Sequence, residues 1–283
     1  MTIFENVLDF LQTNCEIPAH YSAFHLTMFA IMALFTVILC CWGKNCSDKA
    51  FRTIMLVCWI INVIGEIYIA LMYSYSKADG IVSWNYQWYM FPFQFCSSPA
   101  YVLPFVAFLK RGKAHDGFLA FTASFSLFAG LAVMFYPGDV FMYILGVNIQ
   151  TMIHHGMQAS LGIFVLVHER KRLSFKWFTR GIPVFTVLVL IALGLNVWTH
   201  QLCQSLGQAD LFNLYYISPY VPCTLPVLSI IYPLVPYPVF LAIYILGFTL
   251  IALLIFYLVK VIVDRVSRKS DFKRIYKIKK RYL

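Results

Sequence analysis

The sequence predicts an all-α membrane protein with seven transmembrane helices, an N-terminus outside the cell and a C-terminus in the cytoplasm. Of its 283 residues, 61% are hydrophobic and only 12% are charged, which is far more apolar than a soluble protein. The hydrophobic residues fall into long runs, and about 20 apolar residues are enough to cross the hydrocarbon core of a bilayer. The chain is therefore expected to cross the membrane several times.

Seven runs reach that length, and each is predicted to form one helix. Residues 1–20 before them are expected to be an exposed amphipathic lead-in outside the cell. Residues 21–263 form the predicted transmembrane domain, and residues 264–283 form a basic cytoplasmic tail. The seven runs are Tyr21–Trp42, Phe51–Tyr73, Trp88–Leu109, Phe118–Tyr136, Val140–Val167, Ile182–His200 and Pro236–Val259.

The positions of the basic residues predict the orientation. Lys and Arg follow the first, third and fifth runs and fill the tail, so that only Lys77 of the 22 lies on the other side. An excess of Lys and Arg marks cytoplasmic loops. Much of the net charge of +10 comes from the tail after Lys260. A basic segment beside a membrane is attracted to anionic lipid headgroups by about 1 kcal/mol per residue. This placement favours a lipid surface over a nucleic acid as the partner of the tail.

The third run is interrupted by Pro92, Pro99 and Pro104. Each proline removes an amide donor and disfavours a straight helix. Backbone groups freed in this way at membrane depth are tolerated only where protein or a wet cavity satisfies them. The stretch 91–99 is therefore predicted to line a cavity.

The connection 201–238 between the last two runs is long and rich in proline. It is either an ordinary extracellular loop or a re-entrant or interfacial segment that covers the outer mouth. Long ordered loops are often lids, which favours the second interpretation.

Four polar residues from four runs are predicted to share one layer in the membrane. At the helical rise, each lies about 18–22 Å from the charged end of its run, displaced towards the outer leaflet. Polar side chains at that depth are costly to bury and mark functional sites by default. The four residues are Glu66, Cys96, His155 and Asn196.

The chemistry of this layer points to a nucleophilic thiol. A cysteine attacks as its thiolate, so Cys96 needs a base within hydrogen-bonding reach, and histidine is the natural one. Glu66 or Asn196 is the candidate for orienting that base. His154 and His155 point about 100° apart on a helix, and the sequence leaves open which of them is the base.

Each of these residues also has a structural interpretation. Cys96 can be a packing residue, the histidines and Asn196 can be contacts between helices, and Glu66 can form a structural ion pair. A metal site made by Cys96, Glu66 and the two histidines is disfavoured because adjacent histidines are not a usual chelating pair. The sequence therefore predicts no metal and no other cofactor.

Several short motifs carry a resemblance to a known family. They are Phe91–Cys96, the His154-His155-Gly156 helix, Asn196, and the Asn213–Tyr216 stretch. On these motifs the chain resembles the YwaF-like family of bacterial integral membrane proteins. More distantly it is similar to a vertebrate membrane acyltransferase family that builds polyunsaturated ether phospholipids.

The resemblance implies a multi-pass protein of a bacterial cell membrane, with Cys96 as the nucleophile and His155 as the base. Asn213 and Gln158, which is embedded in the histidine run, join the supporting residues. The YwaF-like pattern has a histidine two residues before the cysteine, whereas this chain has Gln94.

The predicted function is a lipid acyltransferase or acyl hydrolase that acts on membrane lipids through an acyl-thioester at Cys96. The alternative is a non-enzymatic binder, receptor or small-molecule transporter. A retinal receptor is excluded because the last run contains no lysine before Lys260. Replacement of Cys96 separates the two classes, because an enzyme needs the thiol and a packing cysteine tolerates Ala or Ser. The sequence does not predict an oligomeric state.

Overall fold

The computed structural model describes residues 3–78 and 81–279, and all of their side chains except those of 139 and 267–279. This part of the chain is almost entirely helical. Its one hairpin pairs strands β1 (Tyr75–Ala78) and β2 (Ile81–Trp84) in antiparallel register. The helices are α1 (Ile3–Leu11), α2 (Ala23–Gly43), α3 (Asp48–Ser74), α4 (Ser98–Phe108), α5 (Lys113–Phe135), α6 (Leu145–His168), α7 (Gly181–Leu206) and α8 (Tyr237–Lys279).

The all-helical membrane class is confirmed. Five helices among the described residues are long and apolar enough to cross a membrane: α2, α3, α5, α8 and the segment Phe175–Leu206 that contains α7. α6 has 24 residues, but the polar side chains along it make it less apolar than these five. It lies at the centre of the bundle, where neighbouring helices cover most of its surface.

The third predicted run does not form one continuous helix. Short 3-10 turns occupy Trp88–Met90 and Phe95–Ser97, and the helix α4 begins only at Ser98 and has 11 residues. Pro92 lies in the non-helical part, whereas Pro99 stands in the first turn of α4, where a missing amide donor costs nothing. The side chains of Trp59 and Tyr101 donate to the carbonyls of Ala100 and Pro92, at 2.8 and 2.7 Å.

Successive helices run in alternating directions between two ends of the bundle. We call one the hairpin end, because it carries α1 and the β-hairpin. The other is the arginine end, where α2 stops and α3 begins and where Arg172 and Arg180 both pair with Asp116. Serines cap the first two long helices: Ser22 accepts from the amide of His25, and Ser47 from that of Ala50.

The sequence predicts an exposed N-terminal lead-in, but in the structure part of it is buried. It forms α1, whose Leu8 is fully buried. The Gln12 amide donates to the carbonyls of Met72 and Tyr75 at 2.9 and 2.8 Å, and Asp9 pairs with Lys77 at 2.5 Å. The hydrogen bond from Lys77 holds the pKa of Asp9 below its ordinary value. One face of α1 is thus fixed to the hairpin.

The predicted tail is continuous with the last helix. α8 extends through Lys279 as one helix, well beyond the predicted run Pro236–Val259. At its described end Lys260 pairs with Asp264 at 2.7 Å. The basic side chains beyond Val266, and residues 280–283, lie outside the described part of the chain.

Glycines let the neighbours of α6 approach it closely. A Cβ on Gly130 of α5 would lie 2.6 Å from the amide nitrogen of Ala159 and 2.6 Å from the carbonyl oxygen of His155. A Cβ on Gly156 would clash with the side chain of Met32 on α2. Small residues at such crossings allow membrane helices to pack backbone to backbone. The helix that carries both histidines is therefore held tightly on two sides.

We expect Gly130→Ala to destabilise the protein by about 1–3 kcal/mol, the usual cost of overpacking a well-packed core. The new methyl group meets backbone atoms of α6, which cannot move as a side chain can. Gly194→Ala is the matched control, because nothing lies within 4 Å of a Cβ there. It should be neutral or stabilising by up to about 1 kcal/mol. Thermal unfolding in detergent measures both, and equal melting temperatures for the two variants would contradict the packing described here.

Candidate functional site

The two adjacent histidines lie side by side in the middle of the bundle. His154 and His155 are each 6% exposed, and their rings meet edge to face with centroids 4.9 Å apart. The apolar residues around them let this helix pack against neighbouring helices on every side. Because both imidazoles are buried among these helices, they are held in fixed orientations.

Cys96 meets this helix from the broken third run. It lies in the 3-10 turn directly before α4. The amides of Cys96 and Ser97 and the Ser97 side chain face the thiol. Amide groups at the start of a helix, together with its dipole, stabilise negative charge there. The prolines thus place the thiol at the start of α4, beside the histidines.

The cysteine and the two histidines form one cluster. The sulfur of Cys96 and one ring nitrogen from each of His154 and His155 all lie within 4.8 Å of one another. The structure therefore brings together the two residues predicted to be catalytic and the neighbouring histidine.

The hydrogen bonds of His154 occupy both of its ring nitrogens. Its Nε2 lies 2.9 Å from the carbonyl oxygen of Cys96, so this nitrogen must carry the proton and donate. Its Nδ1 then accepts from the side-chain amide of Asn62 at 3.1 Å. In this neutral tautomer His154 has no free lone pair. Its two hydrogen bonds connect α3 to the turn that carries Cys96.

The hydrogen bonds of His155 leave one nitrogen available. Its Nδ1 lies 2.8 Å from the carbonyl oxygen of Thr151, one turn earlier in the same helix, and so donates to it. The proton on Nδ1 leaves Nε2 as the acceptor of the neutral ring. No described residue hydrogen-bonds to this Nε2. Of the two histidines, His155 is the one whose protonation pattern suits a general base.

Glu66 lies beside His154. Its Oε1 is 3.8 Å from Nδ1 of His154, and its side chain is 14% exposed. At that distance the carboxylate forms an ion pair only with a protonated His154. Glu66 is thus next to the cluster, but it does not orient His155.

Gln94 and Asn196 clamp the segment around Leu214 and Tyr215. The Gln94 side chain donates to the carbonyl of Asn213 at 3.0 Å and accepts from the amide of Tyr215 at 2.8 Å. Asn196 does the same to Leu214, donating at 3.0 Å and accepting at 2.8 Å. Both polar atoms of the Asn196 amide thus bind the backbone of Leu214. Asn196 links a helix to a loop rather than two helices.

The clamped segment covers the turn that carries Cys96. Tyr215 is 1% exposed, and its ring packs against Phe95 with centroids 5.5 Å apart. Its backbone has a positive φ of 57°, a conformation that costs energy and that surrounding structure must enforce. Asn213 supports the bend by accepting from the amide of Ser218 at 2.9 Å. Between α7, which ends at Leu206, and α8, which begins at Tyr237, the predicted 201–238 segment is a loop with short helical turns at Leu214–Tyr216, Leu228–Ile231 and Tyr232–Leu234.

We expect Gln94→Leu to loosen this segment, because it leaves the buried amide of Tyr215 and the carbonyl of Asn213 unpaired. Each unpaired buried group costs about 1–3 kcal/mol. Hydrogen exchange of residues 213–216 should therefore become faster by about tenfold or more. Gln87→Leu is the control, because its side chain bonds only the nearby carbonyl of Asn85. Unchanged exchange at Tyr215 in the Gln94 variant would contradict the clamp.

Several buried polar atoms near the cluster have no partner among the described residues. They are Oδ1 of Asn62, the hydroxyl of Ser98 and both amide atoms of Gln158. Ser98 is two residues from the thiol, and Gln158 is one helical turn beyond His154. Buried polar groups are normally satisfied, so these atoms are the ones beside the cluster that can pair with a polar group of a ligand.

The cluster is a poor fit for a resident metal ion. Zinc sites use three or four protein ligands with bonds of about 2.0–2.3 Å. His154 would have to give up its bond to the Cys96 carbonyl to ligate through Nε2, and its bond from Asn62 to ligate through Nδ1. With His154 engaged, Cys96 and His155 offer two ligands, fewer than such a site needs.

The family of the chain follows from comparison with family models. The model described as the TMEM164 family matches residues 19–260, which includes every residue of the cluster. The chain belongs to the TMEM164 family. This is a multi-pass membrane family, in agreement with the apolar helices. Searches of the curated proteins and of the solved structures find no significant match.

In this TMEM164-family chain, sequence reasoning found the cluster but missed several of its supports. Thr151 orients His155 through a backbone carbonyl, which carries no signal in the side-chain type. Ser98 is an ordinary serine in a serine pair until the turn before α4 places it near the thiol. Tyr215 lies in one of the resembling motifs, but only its contact with Phe95 gives it a place at the site.

Proposed function

We propose that this TMEM164-family protein is a membrane-embedded lipid acyltransferase or acyl hydrolase with a Cys–His catalytic pair. One observation carries the proposal: the Cys96 sulfur and His155 share a buried cluster, and the bond to Thr151 leaves Nε2 of His155 as a free acceptor. Cys96 is the nucleophile and His155 is the general base. The resemblance to YwaF-like proteins and to a membrane acyltransferase family supports the same assignment.

In the first step, Nε2 of His155 takes the thiol proton and the Cys96 sulfur attacks the carbonyl carbon of a lipid ester. The S–C bond forms, the ester C–O bond breaks, and the lipid alkoxide leaves with the proton from His155. In the second step, His155 deprotonates the hydroxyl of another lipid, or water. That oxygen attacks the thioester, and the sulfur leaves with the proton. A lipid acceptor gives transfer and water gives hydrolysis.

The negative oxygen of each tetrahedral intermediate needs donors. The amides around the start of α4 and the unpaired side chains of Ser98 and Gln158 are the candidates. His154 holds the Cys96 carbonyl from the other side, so that the turn stays in register with His155. We therefore assign Cys96 and His155 as catalytic residues, and His154 and Gln94 as positioning residues.

We further propose that the chain crosses the membrane seven times. The crossings are the five long apolar helices, α6, and the broken third run that ends in α4. The arginine end faces the cytoplasm, as the distribution of Lys and Arg favours, and the N-terminus lies outside. The membrane is a bacterial cell membrane, and the basic tail contacts its anionic lipid headgroups. Membrane lipids are the substrates, and no nucleic acid takes part.

The test is lipid turnover by purified protein in bilayer discs. The discs contain phosphatidylcholine with an isotopically labelled acyl chain and an unlabelled lysophospholipid acceptor, and mass spectrometry follows the label. We expect label in the acceptor or in free fatty acid with wild type and with Cys58→Ala. Cys58 is the control, because it is a buried cysteine of the same bundle with no histidine partner. Cys96→Ala should abolish both products.

Equal turnover by Cys96→Ala and wild type would overturn the proposal. Absence of both products with wild type, in discs that hold the folded protein, would favour the non-enzymatic alternative. Metal analysis of the same samples checks whether a metal occupies the cluster instead.

A further inference from the structure

A groove runs along the surface of the bundle between α3 and the broken third run. It encloses about 310 Å³ and is open along one side. The α3 wall is made by Val63, Glu66, Ile67 and Ala70, which lie on one face of the helix at successive turns. The facing wall includes Ala100 and Tyr101. The groove therefore follows the half of α3 nearer the hairpin end.

The groove opens onto lipid. Its rim residue Ile67 is 55% exposed, and Ile64 beside it on α3 is 60% exposed. α3 is one of the five helices apolar enough to cross a membrane. An exposed apolar surface on such a helix lies against acyl chains, so what enters the groove comes from the bilayer.

The groove borders the cluster at Glu66. Among the described residues that line the groove, Glu66 alone has an ionisable carboxyl group. The same carboxylate is 3.8 Å from His154, whose other nitrogen is 2.9 Å from the Cys96 carbonyl. Glu66 and His154 thus connect the wall of the groove to the turn that carries the thiol.

These observations define the shape of the occupant. A volume of about 310 Å³ is at the small end of the range for ligand sites, so the groove suits a slender ligand. A thiol that attacks a lipid ester needs the carbonyl at the sulfur and an apolar place for the hydrocarbon tail. The groove offers that place, and Glu66 is the polar residue through which its wall contacts the cluster.

We propose that this groove is the acyl-chain subsite and the lateral access route to Cys96. Its ligand is the long acyl chain of a membrane phospholipid. The tail lies between α3 and α4, and the ester end enters the cluster past Glu66. This inference rests on the proposed function, since the subsite serves the thiol. It places lipid access between two membrane helices rather than through the mouth under the 201–238 segment.

The experiment uses phosphatidylcholine with a diazirine midway along one acyl chain, in discs that contain the full protein. Irradiation and peptide mapping locate the cross-links in wild type and in Cys96→Ala. We expect them to concentrate on residues 63–70 and 100–101 in both proteins, because binding does not need the thiol. Cross-links spread evenly over the lipid-facing helices of wild type would overturn the subsite.

Ala70→Trp tests the same groove by filling it. We expect the cross-links in this groove to fall about tenfold in Ala70→Trp. This is the loss of affinity expected when about two methylene groups of the acyl chain can no longer be buried there. Ala30→Trp on the exposed face of α2 is the matched control and should keep the wild-type pattern. An unchanged pattern in folded Ala70→Trp would also overturn the subsite. If the cross-links lie in the groove of both wild type and Cys96→Ala but no acyl transfer occurs, the subsite is supported and the proposed function is contradicted. If acyl transfer occurs but the cross-links lie elsewhere, the proposed function is supported and the subsite is contradicted.

Discussion

We expect His155→Ala to slow acylation of Cys96 by about 10²–10⁴-fold, the usual contribution of a positioned general base. The reason is the bond from Nδ1 to the Thr151 carbonyl, which leaves Nε2 of His155 free to take the thiol proton. His154→Ala should slow the same step by only about fivefold. It loses a hydrogen bond that positions the turn, and one such bond is worth about 1 kcal/mol. Rapid-quench measurement of the acylated protein gives both rates.

Added imidazole separates catalysis from positioning. A small imidazole can occupy the space that His155→Ala leaves and act as the base, so we expect partial rescue of that variant. It should not rescue His154→Ala, whose defect is a displaced turn. His25→Ala is the control, because His25 is also buried but bonds the carbonyl of Met134 away from the cluster. A larger loss in His154→Ala, with rescue there, would assign the base to His154 instead.

The second large effect is expected at the arginine end. Asp116 is 2% exposed and accepts from both Arg172, at 2.7 Å, and Arg180. Glu169 is 5% exposed and pairs with Arg111 and Arg172 at 2.6 and 2.9 Å. This network ties the starts of α5 and α7 to the end of α6. Asp116→Ala removes the partner of Arg180 and leaves Arg172 with Glu169 alone. Hydrogen bonds to charged groups contribute about 1.5–3 kcal/mol each, so the loss should be large.

Thermal unfolding in detergent measures this loss. Asp264→Asn is the control, because its pair with Lys260 spans one turn of α8 and both side chains are partly exposed. Such pairs contribute at most about 1 kcal/mol, so its melting temperature should stay near that of wild type. Equal melting temperatures for the two variants would mean that the network does not hold the helix ends together.

The same network predicts the direction of a pH effect. Burial raises the pKa of Glu169, but its hydrogen bonds and ion pairs with Arg111 and Arg172 outweigh burial and hold the pKa below its ordinary value. A carboxyl group whose pKa is lowered by folding stabilises the folded state above its unfolded pKa of about 4.3. That stabilisation is lost as the pH falls through the folded pKa. Glu169→Gln should therefore be less stable than wild type at pH 7, with a smaller difference in acid.

The sequence predicts the polar layer because helical rise is regular. Residues counted from the charged ends of four runs fall at one depth, and the structure indeed brings Cys96, His155 and Glu66 into one neighbourhood. Asn196 lies beside that neighbourhood, bound to Leu214. Depth along a helix can be read from sequence, but rotation about its axis cannot. For that reason the sequence leaves the choice between His154 and His155 open.

Other features depend on contacts between distant parts of the chain. Gln94 stands where the YwaF-like pattern has a histidine. Its hydrogen bonds to Asn213 and Tyr215 join parts of the chain that are more than a hundred residues apart. The docking of α1 depends on Gln12 and Asp9 meeting the hairpin. The Asp-Gly pair at 79–80 of the sequence is typical of a hairpin turn, but it does not predict this contact with α1. The prolines predict that the third helix is interrupted, but they do not predict that α4 begins at Ser98. Local chemistry predicts what these residues can do, and only the fold decides which partner they meet.

The most direct test of the Cys–His assignment is the mass of the protein itself after incubation with a phospholipid of one acyl composition. Acid quenching traps any thioester, and peptide mapping locates it. We predict one added acyl group on Cys96, removable by neutral hydroxylamine, present in Cys58→Ala and much slower to form in His155→Ala. An acyl group found equally on several cysteines, or none on Cys96 while lipid turnover continues, would contradict a thioester mechanism at this site.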